Sequence, residues 1–199
     1  MKRSNYILLS TILFLSACSQ SKKIEIRNDA GQLSEVYFLS KDSLKEGLAT
    51  SFFEETGKVF EETPYKNGKE NGLRTIYYPS GKIEETNTFV NGVFHGLSKS
   101  FYESGQLKNQ VNYVNNSMDG IWTAYYDNGQ IKEKVFFKNN LENGPFTEYY
   151  KNGQLKAEGH YINGDNEDGM LKMYNNKGLL VKKMNCKEGV CRTIWKLKE

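Results

Sequence analysis

Glycine recurs along this chain at intervals of 24 or 25 residues, and three further markers keep the same phase. An aromatic residue stands five residues after each recurring glycine, a second glycine nine or ten residues after it, and a Gly or Asn 20 or 21 residues after it. Four markers in phase over six units indicate a tandem repeat array. The recurring glycines are Gly47, Gly72, Gly96, Gly120, Gly144 and Gly169; the second glycines are Gly57, Gly81, Gly105, Gly129, Gly153 and Gly178; the third markers are Gly68, Gly92, Asn116, Asn140, Gly164 and Gly189.

Each unit has the pattern of a β-hairpin. In the fourth unit, residues 120–126 are rich in β-branched and aromatic side chains, which favours a strand. Asn128-Gly129 follows, and Asn-Gly tolerates positive φ and is the strongest short signal for a hairpin turn. Residues 131–137 then alternate between apolar and mostly charged side chains, as in a half-buried strand. A second polar turn, such as residues 91–96, returns the chain to the next unit.

These hairpins predict an all-β fold, an elongated single-layer antiparallel meander of tandem β-hairpin repeats. Two strands in each of six units give twelve strands, and residues 24–39 add a partial leading unit because residues 31–33 match residues 105–107. At ~4.8 Å per strand, the sheet extends on the order of 60 Å. Hydrophobic residues make up 38% and aromatic residues 13% of the chain, which suits a thin sheet in which Tyr and Phe supply most of the buried area.

The N-terminus has the features of an export signal. Lys2 and Arg3 precede an apolar stretch, residues 7–17, that is too short to span a bilayer. It ends in Leu15-Ser16-Ala17-Cys18, which resembles the lipobox of bacterial lipoproteins. The resemblance implies cleavage before Cys18 and acylation of Cys18, and two or more acyl chains anchor a protein stably to a membrane. The alternative is a plain secretory signal with an incidental cysteine.

These segments divide the chain into a signal peptide (1–17), an acylated polar tether (18–23) and a repeat array (24–199). We therefore expect a lipid-anchored protein of the cell envelope. The residue after Cys18 is Ser19, whereas an Asp at this position retains enteric-type lipoproteins in the inner membrane. In a cell with two membranes, Ser19 therefore favours the outer one.

Residues 65–72, Tyr-Lys-Asn-Gly-Lys-Glu-Asn-Gly, resemble the MORN repeat, and residues 89–96 repeat the pattern. The added Tyr-Tyr-x-x-Gly marker resembles the bacterial MORN variant of YwqK-like antitoxins. The resemblance covers about residues 31–192 and implies scaffolding, membrane attachment or protein contact, with no transferable active site. The chain departs from the pattern at Asn116 and Asn140, where Gly is expected, and at Cys186, where the other units have an aromatic residue.

Charge and side-chain chemistry give no case for catalysis or nucleic-acid binding. Removal of residues 1–17 takes away Lys2 and Arg3 and leaves 25 basic and 24 acidic residues, without the clustered basic face that nucleic acids require. His95 and His160 occupy unrelated repeat positions, so we expect surface histidines. Glu61, Glu85 and Glu133 recur in second strands and either bind a cation or pair with lysines. We expect no enzyme activity, no cofactor and no metal.

Cys186 and Cys191 flank a possible two-residue turn at Glu188-Gly189. In that register they face each other across a non-hydrogen-bonded pair, at a distance that permits a disulfide. Export favours oxidation, so we expect a disulfide that closes the last hairpin, with free thiols as the alternative. Trp195 is a candidate cap of the final edge, where the charged residues that follow it discourage end-to-end pairing.

The sequence favours a monomeric, membrane-anchored, non-catalytic scaffold that binds a protein or an envelope surface. The alternative, from the YwqK resemblance, is an antitoxin or immunity protein that neutralises a toxin by binding it. One aromatic row is a candidate contact stripe, although packing between adjacent hairpins explains it better; the row is Phe52, Tyr77, Phe101, Tyr125, Tyr149 and Tyr174.

Overall fold

The structure is a computed structural model that describes residues 21–198. The predicted signal peptide, Cys18 and Glu199 lie outside the described residues. All strands in the described part of the chain belong to one sheet of 18 strands. Residues 21–198 contain no helix, and so none that is long and apolar enough to cross a membrane.

The strands follow one another along the sheet in chain order. The first half of the sheet contains β1 (Lys22–Arg27), β2 (Leu33–Leu39), β3 (Gly47–Phe52), β4 (Val59–Lys66), β5 (Lys69–Glu70), β6 (Gly72–Tyr77), β7 (Ile83–Val90), β8 (Val93–Phe101) and β9 (Leu107–Val114). The second half contains β10 (Ser117–Met118), β11 (Gly120–Tyr125), β12 (Ile131–Lys138), β13 (Leu141–Tyr149), β14 (Leu155–Ile162), β15 (Asn166–Glu167), β16 (Gly169–Tyr174), β17 (Leu180–Lys187) and β18 (Val190–Lys196).

Consecutive strands pair antiparallel, so the sheet is a meander; the exceptions are β5 and β6, β10 and β11, and β15 and β16, each of which is one strand interrupted by a single residue and paired with the same neighbour. In the fourth unit, for example, Trp122 faces Val135, and Val135 in turn faces Phe146 of the next strand. The predicted fold class is confirmed, and β1 and β2 form the predicted leading hairpin. The array starts slightly earlier than expected, because Lys22 and Lys23 of the predicted tether already pair with Leu39 and Phe38.

The second glycines lie in three-residue turns, with one more residue in the first unit. The N–H of Gly129 donates to the carbonyl of Tyr126 at 2.9 Å, and the N–H of Tyr126 donates to the carbonyl of Gln130 at 2.8 Å. Only Gly129 in this loop has a positive φ, of 82°. The geometry is that of a type I turn closed by a left-handed glycine with an adjacent bulge. The hairpin turn predicted at Asn128-Gly129 is therefore confirmed, with three residues in its loop.

The tight turns lie at the opposite edge of the sheet, at the third markers. At Asn91-Gly92 the φ values are 52° and 84°, which is the two-residue turn with both central residues left-handed. This turn is shorter than the predicted one, because Val93 and Phe94 already pair with β7. Asn116 fits in place of Gly at a φ of 67°. Its Oδ1 also accepts the N–H of Phe94 at 2.7 Å, a bond to the preceding unit that glycine cannot form.

Four of the recurring glycines begin a strand, as the sequence had suggested, namely Gly47, Gly72, Gly120 and Gly169. Gly96 and Gly144 instead lie inside β8 and β13, three residues after the strand begins. The φ values are positive in both groups, such as 108° at Gly120 and 150° at Gly144. Pairing lapses for one residue before Gly72, Gly120 and Gly169, which divides three strands in two. These three divisions, the leading hairpin and β18 account for the difference between twelve predicted strands and 18 observed ones.

Alternation along the strands gives the sheet two unlike faces. The face that carries Trp122, Val135 and Phe146 is called the inner face here, and the face that carries Ile121 and Lys134 the outer face. The inner face holds all the buried apolar side chains of the described residues: Ala49, Phe89, Val111, Ala124, Val135, Phe137, Phe146, Ala157 and Cys186. The core is thus a single layer of side chains, densest around Phe146, whose ring stacks on Tyr161 at 4.1 Å.

Candidate functional site

The predicted aromatic stripe is held by contacts within the sheet. The hydroxyl of Tyr77 donates to Glu62 at 2.7 Å, and the hydroxyl of Tyr174 donates to Glu158 at 2.8 Å. The bond to Glu62 raises the pKa of Tyr77 to about 12, because it stabilises the protonated phenol beside a carboxylate. All six residues of the row are half-buried. A half-buried row leaves little of each side chain free for a partner, and the hydroxyls of Tyr77 and Tyr174 are already bonded within the sheet.

The second aromatic residue of each pair has a role that the sequence analysis missed. The hydroxyl of Tyr126 donates to the backbone carbonyl of Tyr149, in the next unit, at 2.8 Å. Tyr78, Tyr102 and Tyr150 make the equivalent bond at 2.7–2.9 Å. We call these four hydrogen bonds the tyrosine staples. The signal was the unbroken run of Tyr at this position in four units, beside a first position that varies between Phe and Tyr.

An exposed apolar row lies on the outer face, at the residue that follows each recurring glycine. Five of its six members are 41–58% exposed, and Pro145 is also classed as exposed. Successive members lie two strands apart, about 10 Å, so the row extends about 50 Å across the sheet. We call this row the outer stripe, and it consists of Leu48, Leu73, Leu97, Ile121, Pro145 and Met170.

Shallow hollows separate the side chains of the outer stripe in the second half of the array. One, of about 180 Å³, lies between Ile121, Phe136 and Pro145. A second, of about 270 Å³, lies between Pro145, His160 and Met170. The hollows are open to solvent and alternate with the projecting side chains. The stripe therefore offers ridges and depressions to a binding partner, in addition to exposed apolar area.

A row of polar side chains runs beside the outer stripe on the same face. Lys172 forms an ion pair with Glu158 at 2.9 Å, and the hydrogen bonds from Lys172 and Tyr174 lower the pKa of the Glu158 carboxyl. Lys134 and Thr147 border the first hollow directly. An apolar row with a polar border is the usual composition of a protein-binding surface.

The predicted chemical residues do not converge. Nδ1 of His95 lies 3.3 Å from Oδ1 of Asn115, and His160 faces Pro145 on a different pair of strands. Glu61 and Glu85 share an inner-face row but have Ile76 between them, and Glu133 lies farther along the sheet. In residues 21–198 no group of three or more His, Cys, Asp or Glu side chains is arranged to hold a metal ion.

Glu133 instead faces another acid. It pairs directly with Glu148 across β12 and β13. Burial, together with the charge of Glu148, raises the pKa of the Glu133 carboxyl. Lys156 forms an ion pair with Glu148 at 2.6 Å, so the lysine pairing expected for this ladder goes to the neighbouring acid.

Cys186 and Cys191 are joined by a disulfide in the structure. They pair across β17 and β18 in the predicted register, next to Lys187 and Val190, with Cα atoms 3.9 Å apart. Glu188 and Gly189 form the expected two-residue turn. Trp195, on β18, faces Lys183 of β17 and is 40% exposed, so it covers little of the last strand.

Comparisons with known proteins agree with this geometry. The model of the MORN repeat variant family matches residues 45–67, 70–91, 94–115, 118–139 and 142–163, more than half of the chain. No curated protein matches the chain. Among solved structures, TarM is 18% identical, with 60% of this chain and 22% of that chain covered and a TM-score of 0.34. A TcdB2-TccC3-Cdc42 structure is 13% identical, with 86% of this chain and 13% of that chain covered and a TM-score of 0.25. The chain thus spans about a fifth of the length of TarM and a smaller share of the second structure. These partial overlaps add nothing to the family assignment. The repeated hairpins and the five family matches together show that the chain belongs to the MORN repeat variant family.

Proposed function

We propose that this protein is a lipid-anchored, non-catalytic scaffold that binds a protein partner through the outer stripe. The observation that carries the proposal is the stripe itself, an exposed apolar side chain at the same position in six consecutive units. A repeat-type binding scaffold is what MORN repeats suggest. Leaving this many apolar side chains in water opposes solubility, and contiguous exposed apolar surface is typical of interaction sites.

The spacing of the stripe favours a long partner over a compact one. Its members are about 10 Å apart, which is close to the rise of seven residues in an α-helix. An amphipathic helix with an apolar residue in each heptad would therefore place one side chain between successive members of the stripe. Helices that lay an apolar face into a groove bind in this way.

The anchor in this proposal rests on the sequence of the leader. Cys18 lies only four residues before β1, so acylation would hold the leading hairpin close to the lipid surface. Lys22, Lys23 and Arg27 on β1 suit that location, because anionic head groups attract basic side chains. The rest of the array would extend away from this point, with the outer stripe accessible along its length.

The anchor is tested by Cys18→Ser in the native cell. We expect the variant to lose metabolic labelling with a fatty acid and to leave the membrane fraction. The control is the double variant Cys186→Ser/Cys191→Ser, which removes the other two cysteines and should remain labelled. A Cys18→Ser protein that still sediments with membranes would refute the anchor.

The stripe is tested by photo-crosslinking from single positions in the same cells. A crosslinker at Ile121 should capture a defined protein, and one at Lys108, on the other side of the sheet, should not. The variant Leu97→Ser/Ile121→Ser should reduce capture from Met170 at least tenfold, whereas Lys108→Ser, on the other side of the sheet, should not. Equal capture from both faces, or capture of lipid alone, would contradict a protein-binding stripe. Capture of a toxin would favour the antitoxin alternative.

A further inference from the structure

The inner face contains a polar groove that the scaffold role does not require. It has a volume of about 360 Å³ and lies across β7, β8, β9 and β11. This volume is at the lower end of the ~300–1,000 Å³ that small-molecule sites occupy. We refer to it as the inner groove, and the residues used below are Glu85, Ser98, Ser100, Asn109, Tyr113 and Trp122.

The groove exists because large side chains are missing from one unit. The inner-face position that holds Trp122 in the fourth unit and Phe146 in the fifth holds Ser98 in the third. Ser100 occupies the position of Ala124, which is also small. The backbone is therefore covered by a large apolar side chain at the position of Ser98 in the following two units and left open there in the third.

Polar groups line the opening, and one of them occupies a position that is apolar in the next two units. Asn87 is 1% exposed, although Val111 and Val135 hold its position in the next two units. Its amide nitrogen donates to Glu85 at 2.6 Å, and its amide oxygen accepts the hydroxyl of Ser98 at 2.7 Å. This network fixes the orientation of the Glu85 carboxylate and the Ser98 hydroxyl at the groove.

One polar group in the groove has no partner. The Oγ of Ser100 is buried and makes no hydrogen bond within the described residues. A buried hydroxyl without a partner costs about 1–3 kcal/mol, and alanine at this position, as in the next unit, avoids the cost. Asn109 faces Ser100 directly across β8 and β9, and its side chain also lines the groove. The fold alone thus gives no reason for the hydroxyl of Ser100.

The chemistry of the walls selects the class of ligand. Glu85 offers an acceptor, Ser98 and Ser100 offer hydroxyls, and Asn109 offers both a donor and an acceptor. Tyr113 and Trp122 supply flat apolar surface on the same groove. An anion would meet the two carboxylates of Glu84 and Glu85 against the single ammonium group of Lys108, and a purely apolar molecule would leave the polar groups without partners. A neutral sugar ring has hydroxyls at its edge and an apolar C–H face, and it matches both kinds of wall.

We propose that the inner groove is a binding site for a neutral saccharide. One or two rings fit its volume, with the ring edge bonded to the Ser100, Asn109 and Glu85 side chains and one ring face against Trp122. The site lies on the opposite face from the outer stripe, so either can be present without the other.

The intrinsic fluorescence of Trp122 tests the proposal. The chain has two tryptophans, and Trp195→Phe leaves Trp122 as the sole reporter in the full-length protein purified in detergent. Titrations with maltotriose, cellotriose, lactose and chitotriose are compared with titrations with inorganic phosphate and spermidine. We expect at least one saccharide to shift the emission saturably at millimolar or lower concentration, with no saturable shift from phosphate or spermidine.

Variants separate the groove from the rest of the sheet. Ser98→Phe installs the side chain that the fifth unit has at this position and should abolish binding. Ser100→Ala and Asn109→Ala should each weaken binding about tenfold without lowering the melting temperature. Lys99→Ala, on the outer face between the two serines, should leave binding unchanged. Failure of all four saccharides to bind, or unchanged binding in both Ser100→Ala and Asn109→Ala, would overturn the proposal, and so would saturable binding of phosphate or spermidine alone.

Discussion

Removal of a single tyrosine hydroxyl tests how the units of the array are held together. Tyr126→Phe deletes the donor that reaches the carbonyl of Tyr149 and leaves the ring in place. A hydrogen bond of this kind contributes about 0.5–1.5 kcal/mol net, so we expect the free energy of unfolding to fall by that amount. Units in such arrays interact only with their neighbours, so the loss should weaken one interface and leave the others intact.

The four tyrosine staples allow the reasoning to be checked by addition. They lie in successive units, about 10 Å apart, and effects at such distances usually add within about 0.3–0.5 kcal/mol. Replacing Tyr78, Tyr102, Tyr126 and Tyr150 by Phe together should therefore cost about 2–6 kcal/mol. The first unit supplies the reverse experiment, because Phe53 occupies the same position without a hydroxyl. Phe53→Tyr should gain a bond to the carbonyl of Tyr77 and stabilise the first interface.

Equilibrium urea unfolding, followed by tyrosine and tryptophan fluorescence, measures these differences. Hydrogen exchange then locates them, since Tyr126→Phe should speed exchange in β11 to β14, the two hairpins that the staple joins, more than in β3 and β4. Losses below about 0.3 kcal/mol for all four single variants would refute the view that the hydroxyls couple adjacent units. A gain of stability in Tyr126→Phe would refute it more directly.

Three further predictions concern single positions. Glu133→Gln should raise the melting temperature at pH 7.5 and have no such effect at pH 3.5. The pKa of the Glu133 carboxyl is raised in the folded protein, so ionisation of this carboxyl opposes folding. The resulting loss of stability is absent below the unfolded pKa near 4.5 and grows as the pH rises through the folded pKa. An equal gain at both pH values in thermal melts would contradict this. Gly144→Ala should cost more than Gly120→Ala in urea unfolding, because an added Cβ meets Phe136 at 2.9 Å at the first position and nothing within 4 Å at the second. Equal costs would indicate that the left-handed backbone, about 1–3 kcal/mol, is the whole effect. Cys186→Ser/Cys191→Ser should lower the stability of the last hairpin by about 2 kcal/mol and speed hydrogen exchange in β17 and β18 only. Faster exchange throughout the array would contradict a local role.

The hairpin repeat could be predicted from the sequence because it depends on local chemistry. Glycine and asparagine tolerate positive φ, and strands alternate between two faces, so turns and pairing follow from spacing alone. The Asn-Gly dipeptide alone does not distinguish the two kinds of turn. Asn128-Gly129 and Asn91-Gly92 are the same dipeptide, and only the pairing of the flanking strands makes one loop three residues long and the other two.

The binding surfaces were harder to predict because they depend on which face a residue occupies after a bulge. The bulge beside Tyr125 shifts the register between β11 and β12, so Ile131 faces Tyr125 while Glu133 faces Ala124. Simple alternation had grouped Ile131 with Val135 and Phe137. The residues after the recurring glycines attracted no attention because Leu, Ile, Pro and Met share no residue type, although their common exposure is clear once the faces are assigned.

The tight turns also determine how such an array can change in length. At that edge each turn donates a backbone N–H to the preceding unit, as Asn140 does to the carbonyl of Met118 at 3.2 Å and Gly164 to that of Glu142 at 2.9 Å. Deletion of 24 consecutive residues brings equivalent donors and acceptors back together, and every side chain keeps its side of the sheet. Loss of one residue within a strand would instead move the following side chains of that strand to the opposite face of the sheet. Gene duplication or contraction by whole units can therefore lengthen or shorten the protein in steps of about 10 Å without a new folding problem.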